Sequence, residues 1–500
     1  MTESDSAHEV YRKRGIRLNA EISPLLTKYF YAPTEGRTWK AFHMFDKAHT
    51  VMTTEEGIIP KAAGAAILKA LRRMEAEGTE RVRESLGGHM HCGEAYAAMI
   101  AGPEMAGWIH VGRSSGDLQA VGARVASRDL GVAFMTALIR LRRTLLDRAE
   151  GHIDTVMPGY THLQHAEPIT LAFYLLSFVH QFARDCARFR EAYARTNMSP
   201  AGCAILTTTD FPINRKRTQE LMGFDDVLTN AKDAIWTVDY LAECLSCIQS
   251  TAGGLTRLAD DLGIWHSSEF GMVEIPDEFC GTSSIMPQKK NPAGTETVRG
   301  LSADVSGCMA AFWAQTSHQS DSCEMLMMAP LTLFRAAERC LAALEVMDGV
   351  ARGLTIHQDV MAQRVGCYWS QATSLANTLV REKHLPFRSA HQIVGVLVRM
   401  AYEQGRTPAT VSVEMLDEAA RHVMGRPVQL DENRFREALD PSAIIRSKKV
   451  VGGTAPERVR EDLRDCWMRV QHDERAVDEI ESKLARSGRE LEAAVDALLS

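Results

Sequence analysis

The chain has 500 residues, of which 45% are apolar and 24% charged, and a formal net charge of −7. That length and apolar share support a large core and two or three domains, and the interspersed charges leave no basic face for a nucleic-acid backbone. The opening MTESDSAHEVYRKRG is charged where a secretory leader is apolar, and the longest apolar run, LAFYLLSFV at 171–179, is too short to span a bilayer. A cytoplasmic protein with no membrane partner is expected.

Apolar residues at three- and four-residue intervals predict helices over 60–78, 120–155, 168–197, 231–265, 295–317, 330–364, 368–381, 388–405 and 455–498. Strand-like alternation is scarce. Several of these segments far exceed the usual helix of about a dozen residues, so a mainly α chain built on a bundle of long helices, and an oligomer based on that bundle, are expected. Breaks fall at MPGYTHLQHAEP (157–168), TTTDFPINRK (207–216), GTSSIMPQKKNPAGTE (281–296) and HLPFRSAH (384–391), each marked by proline, glycine or a capping residue. Domain boundaries near 112 and 365 divide an N-terminal helical domain (1–112), a central bundle (113–364) and a C-terminal helical domain (365–500). From about residue 466 a charged tail carries Val477, Ile480, Leu484, Leu491 and Leu498 as a stripe, and is expected to be a solvated amphipathic helix or a subunit contact.

Eleven cysteines without regular spacing read as reduced, mostly buried thiols. Cys244 and Cys247 sit in LAECLSCIQSTAGGL, whose Leu241, Leu245, Ile248 and Leu255 recur at helical spacing, so a core helix is expected there. The His-Met-His-Cys run at 89–92 is read as no metal site, and the chain carries no P-loop or dinucleotide fingerprint. No cofactor is expected.

Three segments carry polar residues that a helical scaffold does not need: GRSSGD (112–117), MPGYTHLQ (157–164) and the 281–296 loop. Taken one at a time, His162 at a helix entry near Pro168 reads as a capping group, and a serine beside glycine as a cap for a helix starting near Ala293. Together they suit removal of a proton next to a carboxylate, which needs a base, a cationic cradle for the dianion and an acid for the leaving group. Lys289 and Asn291 can donate to a carboxylate, and the backbone N–H groups around Ile285 and Met286 add to that field. Ser283 becomes a useful base only when a mobile loop closes over substrate and expels water.

GTSSIMPQKKNP resembles the signature of the fumarase/aspartase superfamily, and its QKKN variant resembles the argininosuccinate-lyase branch. AGWIHVGRSSGD, MPGYTHLQHAEPIT, SSEFGMVEIPDEF, LPFRSAHQIVGVLV and GGTAPERVR resemble segments of that branch in the same order, over roughly residues 15–465. The resemblance implies a three-domain helical subunit, a homotetramer with a twenty-helix core, and active sites shared among three subunits. It also implies a reversible β-elimination releasing fumarate. By the same resemblance Ser283 is the base, His162 the acid and Glu296 its charge partner. Thr161, Met286, Lys289 and Asn291, with Arg113, Ser114 and Ser115 of the GRS segment, would contact the small dicarboxylate substrate.

The departures bear on the substrate. Where argininosuccinate lyases have G-R-S-R-N-D-Q, this chain has Gly112-Arg113-Ser114-Ser115-Gly116-Asp117-Leu118; Gly88-His89-Met90-His91 replaces E-D-x-H; and HQSDSCEMLMMAP (318–330) replaces the segment that holds the arginine half. Loss of a bidentate arginine and of other polar partners argues against argininosuccinate, and His318, Gln319, Ser320 and Asp321 are candidates for new contacts. The expected reaction is cleavage of an N-substituted aspartate, such as iminodisuccinate or ethylenediamine-disuccinate, into fumarate and an amine. Alternatives are argininosuccinate lyase itself and a silent, crystallin-like structural protein, the latter opposed by retention of Ser283, His162, Lys289, Asn291 and Glu296.

Overall fold

A computed structural model describes Ser23, Leu25 and residues 36–317, 321–322 and 324–500. In chain order, α1 (Gly36–Glu55), α2 (Lys61–Glu77) and α3 (Cys92–Ala101) precede the bundle helices α4 (Ser115–Glu150), α5 (Leu171–Thr196), α6 (Asp239–His266), α7 (Ala293–Thr316) and α8 (Ala329–Gly353). Then come α9 (Ala372–Lys383), α10 (Phe387–Glu403), α11 (Val413–Met424) and α12 (Pro456–Leu499). No helix among the described residues is long and apolar enough to cross a membrane.

The bundle forms because its helices bury matching stripes. On α5, Leu171, Leu175, Phe178, Phe182, Cys186 and Phe189 recur at three- and four-residue steps and are all buried, and Phe189 stacks on Phe134 of α4 at 4.6 Å. Each such side chain removed from water contributes about 1.5–3 kcal/mol, so the stripe outweighs helix propensity in fixing the element. Cys244 and Cys247 are buried in the same core, as the helical spacing predicts.

Boundaries differ from the sequence pattern where the chain must turn. The 231–265 pattern splits into Ala231–Trp236 and α6, and the 330–364 pattern into α8 and Gln358–Val365. Between the latter two, Thr355–Ile356 leaves the helical path to pair with Val273–Glu274. The last helix follows the 455–498 pattern closely, but its tail packs on its own chain rather than standing solvated: Val459, Leu463, Val470 and Val477 of α12 join the bundle core, and Leu491 and Val495 pack with Phe42 and Phe45 of α1. Buried Arg142 of α4 binds Asp473, and Arg72 of α2 binds Asp496 at 2.8 Å, so α12 straps the bundle to the N-terminal helices.

A second core, with Leu375, Ile393, Leu397, Leu416 and Phe435 at its centre, belongs to the helices after residue 371. The strands are few and short. The longest pair, β1 (Val156–Thr161) and β2 (Gln164–Thr170), forms an antiparallel hairpin in a segment the sequence presents as a loop.

Candidate active site

The hairpin tip holds Thr161 paired with Gln164, with His162 and Leu163 between them at φ 56° and 58°. Two successive left-handed residues make a type I′ turn, which normally selects asparagine or glycine. A histidine and a leucine held there instead, with Leu163 64% exposed, mark backbone strain of the kind that collects at functional sites. His162 therefore caps no helix; β2 runs to Thr170, whose own side chain caps α5. The hairpin overhangs a cleft of about 390 Å³ lined by Tyr160, Thr161, Leu163, Glu167, Trp265 and Phe270.

The signature loop leaves the core through a two-residue ladder, β3 (Gly281–Thr282) against β4 (Lys290–Asn291). Ser283 stands at the ladder's open end. Its Oγ accepts the backbone N–H groups of Met286 at 3.0 Å and Ile285 at 3.4 Å, so it caps its own turn; α7 starts after Pro292 with no side-chain cap. Two donors aimed at one oxygen favour its ionised form. The adjacent lysines have different surroundings. Lys290 binds Glu274 at 2.7 Å and Asp277 at 2.6 Å, while Lys289 is exposed and makes no ion pair among the described residues. Ile285, 84% exposed, and Met286, 40% exposed, give the loop an apolar outer surface.

The GRSSGD loop is fixed by a set of buried and half-buried contacts. His49 Nε2 donates to the Val111 carbonyl at 2.8 Å; burial, then the charge of Arg113, lowers the His49 pKa to about 3, which keeps the ring neutral. Arg113 binds Asp46 at 2.8 Å, and Arg83 binds the other oxygen of Asp46 at 2.9 Å, with all three side chains at most 1% exposed. The guanidinium expected on substrate is thus used inside the protein, where it sets the loop. Ser114 is the N-cap of α4, its Oγ accepting from Gly116 N while Asp117 accepts from Ser114 N at 2.9 Å. Ser115 Oγ meets His91 Nε2 at 2.8 Å.

These groups do not form one site within one chain. α4 spans 36 residues, about 54 Å at helical rise. Ser114 and Ser115 lie at its start, while His162 follows its end. The Ser283 loop shares the His162 end, where His266 at the end of α6 reaches the Lys290 carbonyl at 3.3 Å and Leu262 packs near Arg148 and Leu171. No contact among the described residues joins Glu296, exposed in the first turn of α7, to His162. Of the candidate recognition residues, His318, Gln319 and Ser320 lie outside the described residues, and Asp321 pairs with Lys232 at 3.2 Å.

Two groups at the GRSSGD loop have partners that the sequence did not reveal. Glu94, 7% exposed, takes His91 Nδ1 at 3.4 Å and His110 Nδ1 at 3.2 Å on a single oxygen, Oε2. Its sequence signal was the i, i+3 spacing from His91. Asp117 was legible as a helix-start residue, but its second contact, to Ala204 N at 3.0 Å, joins positions far apart in the chain.

A long-helix bundle bearing this loop and hairpin defines a lyase: the "Lyase" family model matches residues 31–307, and the "Argininosuccinate lyase C-terminal" model matches 369–446. Argininosuccinate lyase of Methanosarcina mazei is 38% identical over 90% of this chain and 91% of its own length; that of Methanocaldococcus jannaschii is 34% identical over 93% and 96%. A crystal structure of EDDS lyase in complex with formate superposes with a TM-score of 0.88 at 30% identity, covering 93% of this chain and 92% of that one. The chain belongs to the fumarase/aspartase superfamily, in its argininosuccinate-lyase-like branch, and is a fumarate-releasing carbon–nitrogen lyase.

Proposed function

We propose that the protein cleaves an N-substituted aspartate of the aminopolycarboxylate class, such as iminodisuccinate or ethylenediamine-disuccinate, into fumarate and an amine. The observation that carries the chemistry is the Ser283 hydroxyl, which already accepts two backbone N–H groups at 3.0 and 3.4 Å, three residues from the first of them in a loop that also holds Lys289, which makes no ion pair among the described residues. Ser283 takes the Cβ proton; the electron pair moves into the neighbouring carboxylate to give a dianion held by Lys289, Asn291, Thr161 and the Met286 amide. Collapse of that dianion forms the carbon–carbon double bond and breaks the C–N bond. His162, or a water it orients, gives the proton to the departing nitrogen, with Glu296 supporting its charge.

Because the GRSSGD end and the His162–Ser283 end stand about 54 Å apart along α4, we propose that a complete site draws on several copies of the chain in a homotetramer, working in the cytosol with no cofactor taking part in the elimination itself. Arg113 acts there as a positioning residue, with Ser114 and Ser115 presented to substrate by the loop it anchors.

Two features support the substrate class. Ser115 stands where argininosuccinate lyases carry an arginine and is engaged by His91 at 2.8 Å, and the EDDS lyase fold superposes over 93% of the chain. The second reading, argininosuccinate as substrate, is favoured by the higher identity, 38%, to enzymes named for it. Running the reaction backwards separates them: purified protein with fumarate and a panel of amines, amino acids and diamines, with adducts identified by mass spectrometry. Adducts of diamines or of aspartate, and none of arginine, are expected. Arginine as the sole productive partner would establish the second reading.

A further inference from the structure

We propose that His91, Glu94 and His110 form a binding site for a divalent transition-metal ion of the zinc type, beside the GRSSGD loop. Their donor atoms all lie within 4.8 Å of one another. His91 Nδ1 and His110 Nδ1 stand 3.4 and 3.2 Å from the same oxygen, Glu94 Oε2. In a tetrahedral shell with metal–ligand bonds of about 2.0–2.1 Å, neighbouring donors are separated by about 3.3–3.4 Å, so both distances fit shell edges. Two neutral imidazoles and one carboxylate also match the donor set that such ions take when they keep an open coordination position.

Three further observations favour a metal over a plain pair of histidine–carboxylate contacts. His91 Nδ1 is buried and makes no hydrogen bond among the described residues, its nearest charged neighbour being Glu94 Oε2 at 3.4 Å. Its other nitrogen, Nε2, is held by Ser115 Oγ at 2.8 Å, the outer contact that orients a metal-binding imidazole and fixes its tautomer. The His91 and His110 rings lie 5.5 Å apart at 37°, converging on the carboxylate from two elements, the start of α3 and the turn at 107–110. The other close group, His180, Asp462 and Cys466, is a poorer candidate, because burial pushes the Cys466 thiol up to about 12 and a metal must displace that proton.

A bound ion would tie α3 to the 107–110 turn and, through His91 and Ser115, to the first turn of α4. It would therefore set the loop that presents Ser114 and Ser115, and its open position could take water or a carboxylate.

The test uses the full-length protein stripped of metal with a chelator and then titrated with Co²⁺, whose visible absorption reports four- or five-coordinate N/O ligation. One equivalent per chain is expected, with the band abolished and affinity reduced at least tenfold in His110→Ala and in His91→Gln, and unchanged in His180→Ala. His110 is 39% exposed, so its replacement leaves the core intact, and circular dichroism checks this. Zn²⁺ should displace the cobalt and raise the unfolding temperature of the parent but not of His110→Ala. Absence of saturable binding, or binding that survives His110→Ala, or a band lost only with His180→Ala, overturns the proposal.

Discussion

Asp46→Asn tests how the N-terminal helices hold the loop that begins the long bundle. The side chain of Asp46 is 1% exposed and receives Arg83 at 2.9 Å and Arg113 at 2.8 Å, themselves 0% and 1% exposed. Asparagine keeps the shape but removes the charge between two buried guanidiniums and turns one acceptor into a donor facing an arginine. Breaking a buried, hydrogen-bonded charge network costs about 3–5 kcal/mol, because the remaining ions cannot recover their hydration. Surrounding space offers no relief: a Cβ on Gly93 would already stand 2.0 Å from Asp46 Oδ2. Urea unfolding of the full-length protein, followed by circular dichroism, should show a loss of about 3–5 kcal/mol. Removing the exposed Arg195–Glu243 pair should leave the midpoint unchanged. A loss below about 1 kcal/mol for Asp46→Asn would refute the claim that this node is dry and indispensable.

Three other substitutions probe the site's frame. Asp117 is buried, and desolvation raises its pKa to about 7 against the opposing pull of the Ser114 and Ala204 amides. Its folded pKa lies above the unfolded value, so the stability tied to its proton is complete below about pH 4 and falls as pH rises towards 7. Asp117→Asn should remove that decline, which paired denaturation curves at pH 5 and 7.5 would reveal; an unaltered slope would contradict it. His162→Asn keeps a residue that tolerates the left-handed turn but loses the acid, so fumarate release should fall by about 10²-fold with the hairpin intact. Leu163→Gly should raise stability by relieving the φ 58° conformation.

The long helices were legible because their buried stripes run for many turns: the 168–197 and 295–317 patterns match α5 and α7 to within a few residues. The hairpin was not, since Pro158 and Gly159 break its alternation and its register shifts between Pro158 and Tyr160. Helix α1 also escaped notice, because polar Asp46, Lys47, His49 and Thr50 occupy buried positions and blur its stripe; their partners, such as Arg113 and Glu75, lie far along the chain. The same long-range dependence hid the internal role of Arg113. Ser283, Lys289 and Asn291 stood out in the sequence because an exposed loop has no packing reason to carry them.

Ser283 is the proposed proton acceptor, and replacing it with alanine is the most direct measurement of that role. Fumarate release should fall by about 10²–10⁴-fold, with subunit assembly and unfolding temperature unchanged, since the hydroxyl's hydrogen bonds are confined to its own turn. Turnover at the parental rate would contradict the assignment and require another base.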